Sequence, residues 1–217
     1  MSKGFRNIIL LICAVSLREV LGHGMMLEPP NRSSLWKYYT IDNDKVVPNY
    51  NDNQNFCGGY STQWDTFDGK CGVCGDPYDA AHPQDNENTG LYGKFGPVRT
   101  YKMGEVVNVT ILLTSNHKGH FTYSICVLDD PTKPESGEDC FQALKLENGS
   151  PRYGVSSTDQ YVYNMVKLPE DLTCERCVLR WHYTAGNNWG WCTSTVGALG
   201  CGPQETFRSC SDIKIEK

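Results

Sequence analysis

From residue 100 onward the chain sorts into short apolar runs separated by polar stretches. Val106–Leu113, Phe121–Val127, Tyr161–Val166 and Cys177–Tyr183 are rich in β-branched and aromatic residues, and each alternates in part between apolar and polar side chains. That pattern predicts strands with one face buried. Turn-forming stretches at 115–119, 129–137, 147–151 and 169–172 separate them. A last run, Ser211–Ile215, is predicted to close the sheet as an edge strand. Residues 23–100 lack this texture. They are rich in Asn, Asp, Gly and Pro, with aromatic punctuation at 36–39 and 63–65. They predict long loops with little regular structure beyond a short helix over 33–39. No repeat or linker interrupts the chain. The expected fold is mainly β: one antiparallel, immunoglobulin-like or fibronectin-like β-sandwich with long, disulfide-stapled loops.

The start of the chain follows a different logic. Lys3 and Arg6 precede the apolar stretch Ile8–Val15, and Val20 and Gly22 stand where a signal peptidase needs small or tolerable residues. Residues 1–22 are therefore predicted to be a secretory signal, and 23–217 a single domain. The apolar run is too short to span a bilayer, and no later run approaches ~18 apolar residues. Removal of Lys3, Arg6, Arg18 and Glu19, a net +2, takes the formal charge from −5 to −7. An acidic chain without basic runs is poorly suited to nucleic acid or an anionic membrane, but meets a neutral polymer without penalty.

Export also sets the cysteine chemistry. Of the 11 cysteines, Cys13 falls in the signal. Cys57, Cys71, Cys74, Cys126, Cys140, Cys174, Cys177, Cys192, Cys201 and Cys210 remain, an even set that predicts disulfides in an oxidising compartment. The pairing is not deducible from spacing. The C-x-x-C pairs 71/74 and 174/177 lie too far apart for a zinc ribbon. Asn31, Asn108 and Asn148 head N-glycosylation sequons.

Cleavage after Gly22 gives a chain that begins with His23. A histidine in first place offers its α-amino group and its ring Nδ1 to one metal in a small chelate. The amine's ordinary pKa, roughly 7.7–8.0, lets a cation displace its proton near neutrality. A second imidazole opposite completes a planar three-nitrogen set, which suits copper. His117 follows an apolar run at a loop tip, where a rigid sheet can aim it, and His120 competes three residues later. His82 and His182 read as structural or solvated.

Four segments together carry a resemblance. His23-Gly24 with the following Pro-Pro-x-Arg-Ser-Ser, Asn116-His117-Lys118-Gly119, Gly186-Asn187-Asn188-Trp189-Gly190, and Cys201 through Ile213 occur in the order found in lytic polysaccharide monooxygenases. The chain is most similar to auxiliary activity family 15, the largely invertebrate branch, across residues 23–213. The resemblance implies one copper ion held by the amine and Nδ1 of His23 and by His117. It implies that Phe207 covers one axial face of the metal, without a hydroxyl to ligate or donate. Ser115 stands where related enzymes often carry Ala near the other axial position. Gln204 and Glu205 are implied neighbours that position bound oxygen or peroxide. The implied activity is oxidative cleavage at C1 or C4 in chitin or cellulose, using O₂ or H₂O₂ and a small-molecule reductant. The implied protein is a secreted monomer on an insoluble polymer. Two alternatives stay open: a non-catalytic chitin- or cellulose-binding protein, and a copper-binding protein that does not oxidise glycans. Trp189 and Trp191 either stack on sugar rings or pack against disulfides, and the same choice applies to Tyr38 and Tyr39.

Overall fold

A computed structural model describes residues 22–39 and 45–217. The predicted signal, up to residue 21, lies outside the described residues. Among the described residues eleven strands carry the fold: β1 (His23–Glu28), β2 (Arg99–Lys102), β3 (Val106–Ser115), β4 (His120–Val127), β5 (Gln142–Leu146), β6 (Tyr153–Gly154), β7 (Tyr161–Lys167), β8 (Cys174–Thr184), β9 (Trp189–Trp191), β10 (Gly197–Leu199) and β11 (Thr206–Glu216). Nine of them form one curled sheet in the order β1-β3-β7-β5-β4-β8-β11-β2, with β6 attached to β4. Because β5 pairs with both β7 and β4, the curl folds β1-β3-β7 over β4-β8-β11. The result is the expected mainly-β, immunoglobulin-like sandwich.

Alternation explains how the two layers meet. On β3, Val107, Val109, Ile111 and Leu113 point inward, and on β7 Val162 and Val166 do the same. They pack on Phe121, Tyr123 and Ile125 of β4, Leu179, Trp181 and Tyr183 of β8, and Phe207, Ile213 and Ile215 of β11. Asn164 is the inward polar residue of β7, and its Oδ1 accepts a 2.7 Å hydrogen bond from the Tyr123 hydroxyl. The pairing meets the need of both buried groups.

Three features depart from the sequence expectation. His23–Glu28 form β1, antiparallel to β3, rather than loop. The last strand is twice the predicted length and lies inside the sheet, antiparallel to β8 and parallel to β2, so β2 takes the edge and the sheet is mixed. The short helix is 3-10, over Arg32–Lys37. The second departure has a clear cause. Every residue from Thr206 to Ile213 is buried: Arg208 and Asp212 on the outer face, where they bond to Gly72 and Arg32 of the loops that cover it, and Ser209 and Ser211 on the inner face beside Trp181 and Leu179. Polar side chains there read as solvent-facing when they are in fact paired.

Arg32 supplies most of that pairing. Its guanidinium forks onto Asp212 (Nε–Oδ2 2.9 Å, Nη2–Oδ1 2.7 Å) and reaches Glu135 at 2.7 Å. Arg176 adds a 3.1 Å contact to Asp212. Burial alone would raise the Asp212 carboxyl, but the two arginines overcome it and hold the group below the ordinary range. Nearby, Arg180 and Arg208 share Glu138. The disulfides are Cys57–Cys71, Cys74–Cys210, Cys126–Cys140, Cys174–Cys177 and Cys192–Cys201, which uses all ten expected cysteines. Cys74–Cys210 ties the loop layer directly to β11.

Candidate metal centre

His23 opens β1 opposite Ser115, the last residue of β3. The next position must be small. A Cβ on Gly24 would lie 2.9 Å from Leu113 Cδ2 and 3.1 Å from Trp181, so the strand lies directly on the core. The Gly24 N–H donates to Asn53 O at 3.1 Å, which pins the start of β1 to the loop layer.

His117 sits in the turn between β3 and β4, and its neighbours fix that turn. Asn116 donates through Nδ2 to Ser156 O (2.8 Å) and Asp159 O (2.7 Å), and its Oδ1 accepts from Lys118 N–H at 2.7 Å. Lys118 and Gly119 both adopt positive φ. At residue 119 only glycine fits, since a Cβ would stand 2.0 Å from Thr184 O. The His117 N–H donates to the Tyr183 hydroxyl at 3.0 Å, and His117 O accepts from Gly186 N–H at 2.8 Å. The ring is held as well. Asn187 Nδ2 donates to Nδ1 at 2.9 Å, and Ser115 Oγ lies 3.5 Å from Nε2. Burial, and secondarily the charge of His23, lower the pKa of His117. A neutral imidazole, the form that binds metals, is thereby favoured.

The other wall comes from the strand that leaves the core on the opposite layer. Phe207 is fully buried, stacks on Tyr183 (centroids 5.7 Å apart, 29°) and lies 6.4 Å from the His23 ring. Glu205 Oε2 lies 3.6 Å from His117 Nδ1 and accepts from Gly22 N–H at 2.9 Å. Gly22 stands inside this group. A Cβ added to it would meet Phe207 Cε2 at 3.0 Å, His117 Nδ1 at 3.1 Å and Glu205 Oε2 at 3.2 Å.

The remaining candidates lie elsewhere. The Gln204 amide is engaged with the chain behind the site: Oε1 accepts from Asn188 N–H (3.1 Å), and Nε2 donates to Asn188 O (3.0 Å) and Cys201 O (2.7 Å). His120 opens β4 opposite Thr184 and Gly154; burial and the charge of Arg152 lower its pKa. His182 is half-buried and accepts from Arg208 Nε at 3.3 Å, and desolvation together with the two nearby arginines pushes it well below the ordinary value. His82 pairs with Glu87 at 2.8 Å. Trp189 and Trp191, 58% and 61% exposed, stand edge to face on the β9–β10 hairpin, which Cys192–Cys201 braces. Asn31 is fully buried, with Nδ2 donating to Met26 O (2.5 Å) and Ser34 Oγ (2.9 Å). Asn187 and Tyr183 were missed as partners of His117. Asn187 lies in one of the quoted motifs, but Tyr183 reads as an ordinary inward strand residue.

A profile described as lytic polysaccharide mono-oxygenase, cellulose-degrading, matches residues 23–213. The chain belongs to this family. A solved relative, the auxiliary activity family 15 lytic polysaccharide monooxygenase from Thermobia domestica in its Cu(I) state, is 38% identical over 89% of this chain and 98% of its own, with a TM-score of 0.83. Two more distant enzymes share the fold. The cellulose-active CelS2 in complex with copper is 15% identical over 88% of this chain and 98% of its own (TM-score 0.50). LPMO10B from Micromonospora aurantiaca is 12% identical over 88% and 99% (TM-score 0.52). Comparison with curated protein sequences finds no match. Lytic polysaccharide monooxygenases are copper enzymes, and polysaccharide is their substrate class.

The donors near Gly22 fit that metal. Among the described residues no group of three or more His, Cys, Asp or Glu side chains clusters as a metal site. Two imidazoles would need a third donor, and only in a chain beginning at His23 would an amine nitrogen, a ligand type copper favours, be added to them.

Proposed function

We propose that the chain is exported, is cut after Gly22, and then oxidatively cleaves chitin or cellulose with one copper ion held by His23 and His117. The position of Gly22 carries this reading. Cleavage removes that residue from among His117, Phe207 and Glu205, and turns the His23 nitrogen from an amide into an amine. One processing event thus opens the space and creates the third donor. Five disulfides fit the oxidising route that export implies.

When bound, copper supplies the redox chemistry that oxidises a C–H bond beside the glycosidic link. The protein's part is to hold and orient. His23 is anchored by β-pairing, and His117 by Tyr183 at its backbone and Asn187 at its ring. Phe207 closes one side with a ring that cannot ligate, which keeps solvent from that face. The Glu205 carboxylate lies close enough to accept a proton or a hydrogen bond from a group in the vacated space.

The test uses the processed protein with copper, ascorbate and each polymer, with products read by mass spectrometry and copper affinity by titration. The chain starting at His23 is expected to bind one copper and to release aldonic or C4-oxidised ends. A chain retaining Gly22 and the His117→Ala variant are each expected to lose both properties, while His120→Ala keeps them. Copper binding without oxidised ends would favour a metal carrier. Polymer binding without either would favour a structural glycan-binding protein. Undiminished copper affinity with Gly22 in place would sink the ligand assignment.

A further inference from the structure

Among the described residues, no strand covers the outer face of β3 and β7, which carries exposed apolar side chains and lies far from the proposed metal centre. Tyr161, Tyr163 and Met165 project from β7 with 54%, 64% and 42% exposure. Their cross-strand partners on β3 are Leu112, Thr110 and Asn108. An exposed row of two tyrosines and a methionine calls for a covering partner. The sequence of β3 offers one. Asn108-Val109-Thr110 is a sequon, and the strand's alternation turns both Asn108 and Thr110 outward onto this face while Val109 enters the core. Asn108 lies directly opposite Met165, with Tyr163 on the adjacent diagonal. Diagonal neighbours of this kind are within reach of aromatic side chains. The β1–β3 ladder stops at Glu28 and Thr110, so among the described residues no further strand residue flanks Asn108 on that side.

We propose that Asn108 bears an N-linked glycan in the exported protein, and that its first sugars lie across Tyr163 and Met165. The apolar faces of pyranose rings match the tyrosine ring, and their hydroxyls keep the outer side wet. The attachment point is seven residues from Ser115 along β3, roughly 23 Å from the residue that faces His23. A glycan there shields the back of the sandwich and leaves the front open to a polymer. Asn31 is the contrasting case. Its Nδ2, the atom that would be modified, is fully buried and bonded to Met26 O and Ser34 Oγ, so a folded chain cannot carry sugar there.

The proposal rests on export, which protein recovered from the medium reads separately. The chain is secreted from cells with eukaryotic glycosylation machinery. Asn148, in the turn bordering Tyr163 and Met165, is changed to Gln in every arm so that one attachment point is read. Peptide mapping after enzymatic glycan release in ¹⁸O water is expected to mark Asn108 and to leave Asn31 unmarked. An unmarked Asn108, whether the face stays bare or pairs with a second copy in sedimentation, overturns the proposal. Packing is read by melting. Asn108→Gln is expected to lower Tm by about 2–4 °C, and by less than half as much when Tyr163→Ser is also present. Equal losses in both backgrounds would overturn the packing over Tyr163.

Discussion

The two layers of the sandwich meet the outside in opposite ways. The outer face of β3 and β7 keeps the alternation of a sheet in water, with exposed residues at every second position of β7. The middle of the outer face of β8 and β11 sees almost no water, because loops within residues 31–39 and 45–98 lie on it and bury even Arg180, Arg208 and Asp212. The covering layer is held by charge pairs and a disulfide, Arg32, Arg176, Asp212 and Glu135 at one point and Cys74–Cys210 at another, and by an apolar cluster that includes Val73 and Val178. The proposed metal centre lies on the seam. His23 and His117 arrive from the bare layer, whereas Phe207, Glu205 and Tyr183 arrive from the covered one. A site assembled this way depends on loops that have little regular structure of their own.

The largest effects on stability should come from breaking the covered face. Arg32→Met leaves two buried carboxylates without their main cation and is expected to cost about 3–5 kcal/mol in denaturant unfolding. Adding Asp212→Leu should recover part of that loss, because one buried charge goes with it. If the double variant is no better than the single, lost packing and not desolvated charge is the cause. Next comes the Cys74–Cys210 disulfide, whose removal as a Ser pair is expected to cost about 2–4 kcal/mol. It closes a separation of 136 residues, against 9 for Cys192–Cys201. On loop-closure entropy the short bridge should matter less by about 2 kcal/mol. Equal losses from the two bridges would mean that local strain, and not chain entropy, dominates.

The same contrast decides what was legible in the sequence. β3, β4, β7 and β8 could be read because apolar residues recur on their inward faces. The first half of β11 could not: Thr206, Arg208, Ser209 and Ser211 look like a surface loop unless a covering layer is known to be there. β1 was hidden for a different reason. Its Gly-Met-Met-Leu core has no alternation, and its strand identity comes from pairing with β3, a long-range event. His117 and His120, equivalent by spacing, are set apart by register, since β4 carries His120 to Thr184 and Gly154. The clasp of Tyr183 and Asn187 on His117 arises across elements some seventy residues away. No local pattern encodes such contacts, and the disulfide pairing is beyond reach for the same reason.

A smaller effect should distinguish the covered layer by its response to pH. Asp76 lies in the loop layer, where its carboxylate accepts from Asn86 N–H (3.1 Å) and Asn86 Nδ2 (2.9 Å). Burial, opposed in part by these donors and assisted by Asp85 and Glu87, raises its pKa to about 6. The folded state therefore holds this proton more tightly than the unfolded chain, whose Asp titrates near 3.9. The stabilisation is fully present below the unfolded value and is lost as pH rises through about 6. Relative to Asp76→Asn, the parent protein should lose about 2–3 kcal/mol of stability between pH 4 and pH 7. A pH-independent difference between the two, measured by urea unfolding at each pH, would show that the carboxyl is better solvated than its packing suggests.

The smallest effect belongs to the bare face, and its smallness is the point. Tyr161 projects from β7 opposite Leu112, with more than half its surface in water. Tyr161→Thr keeps a residue that favours strands and removes a ring that covers little core, so unfolding free energy should move by less than about 0.5 kcal/mol. The comparison is sharpest against Ser211→Ala on β11, a change of one oxygen. Ser211 lies on the inner face beside Leu179, and its buried Oγ donates to Pro30 O at 2.7 Å, so its loss leaves a buried carbonyl without its donor. That should cost about 1–3 kcal/mol, more than removing an entire exposed ring from the other layer. If the tyrosine change proves the costlier of the two, the bare face is contributing to the fold through a contact that its exposure does not reveal.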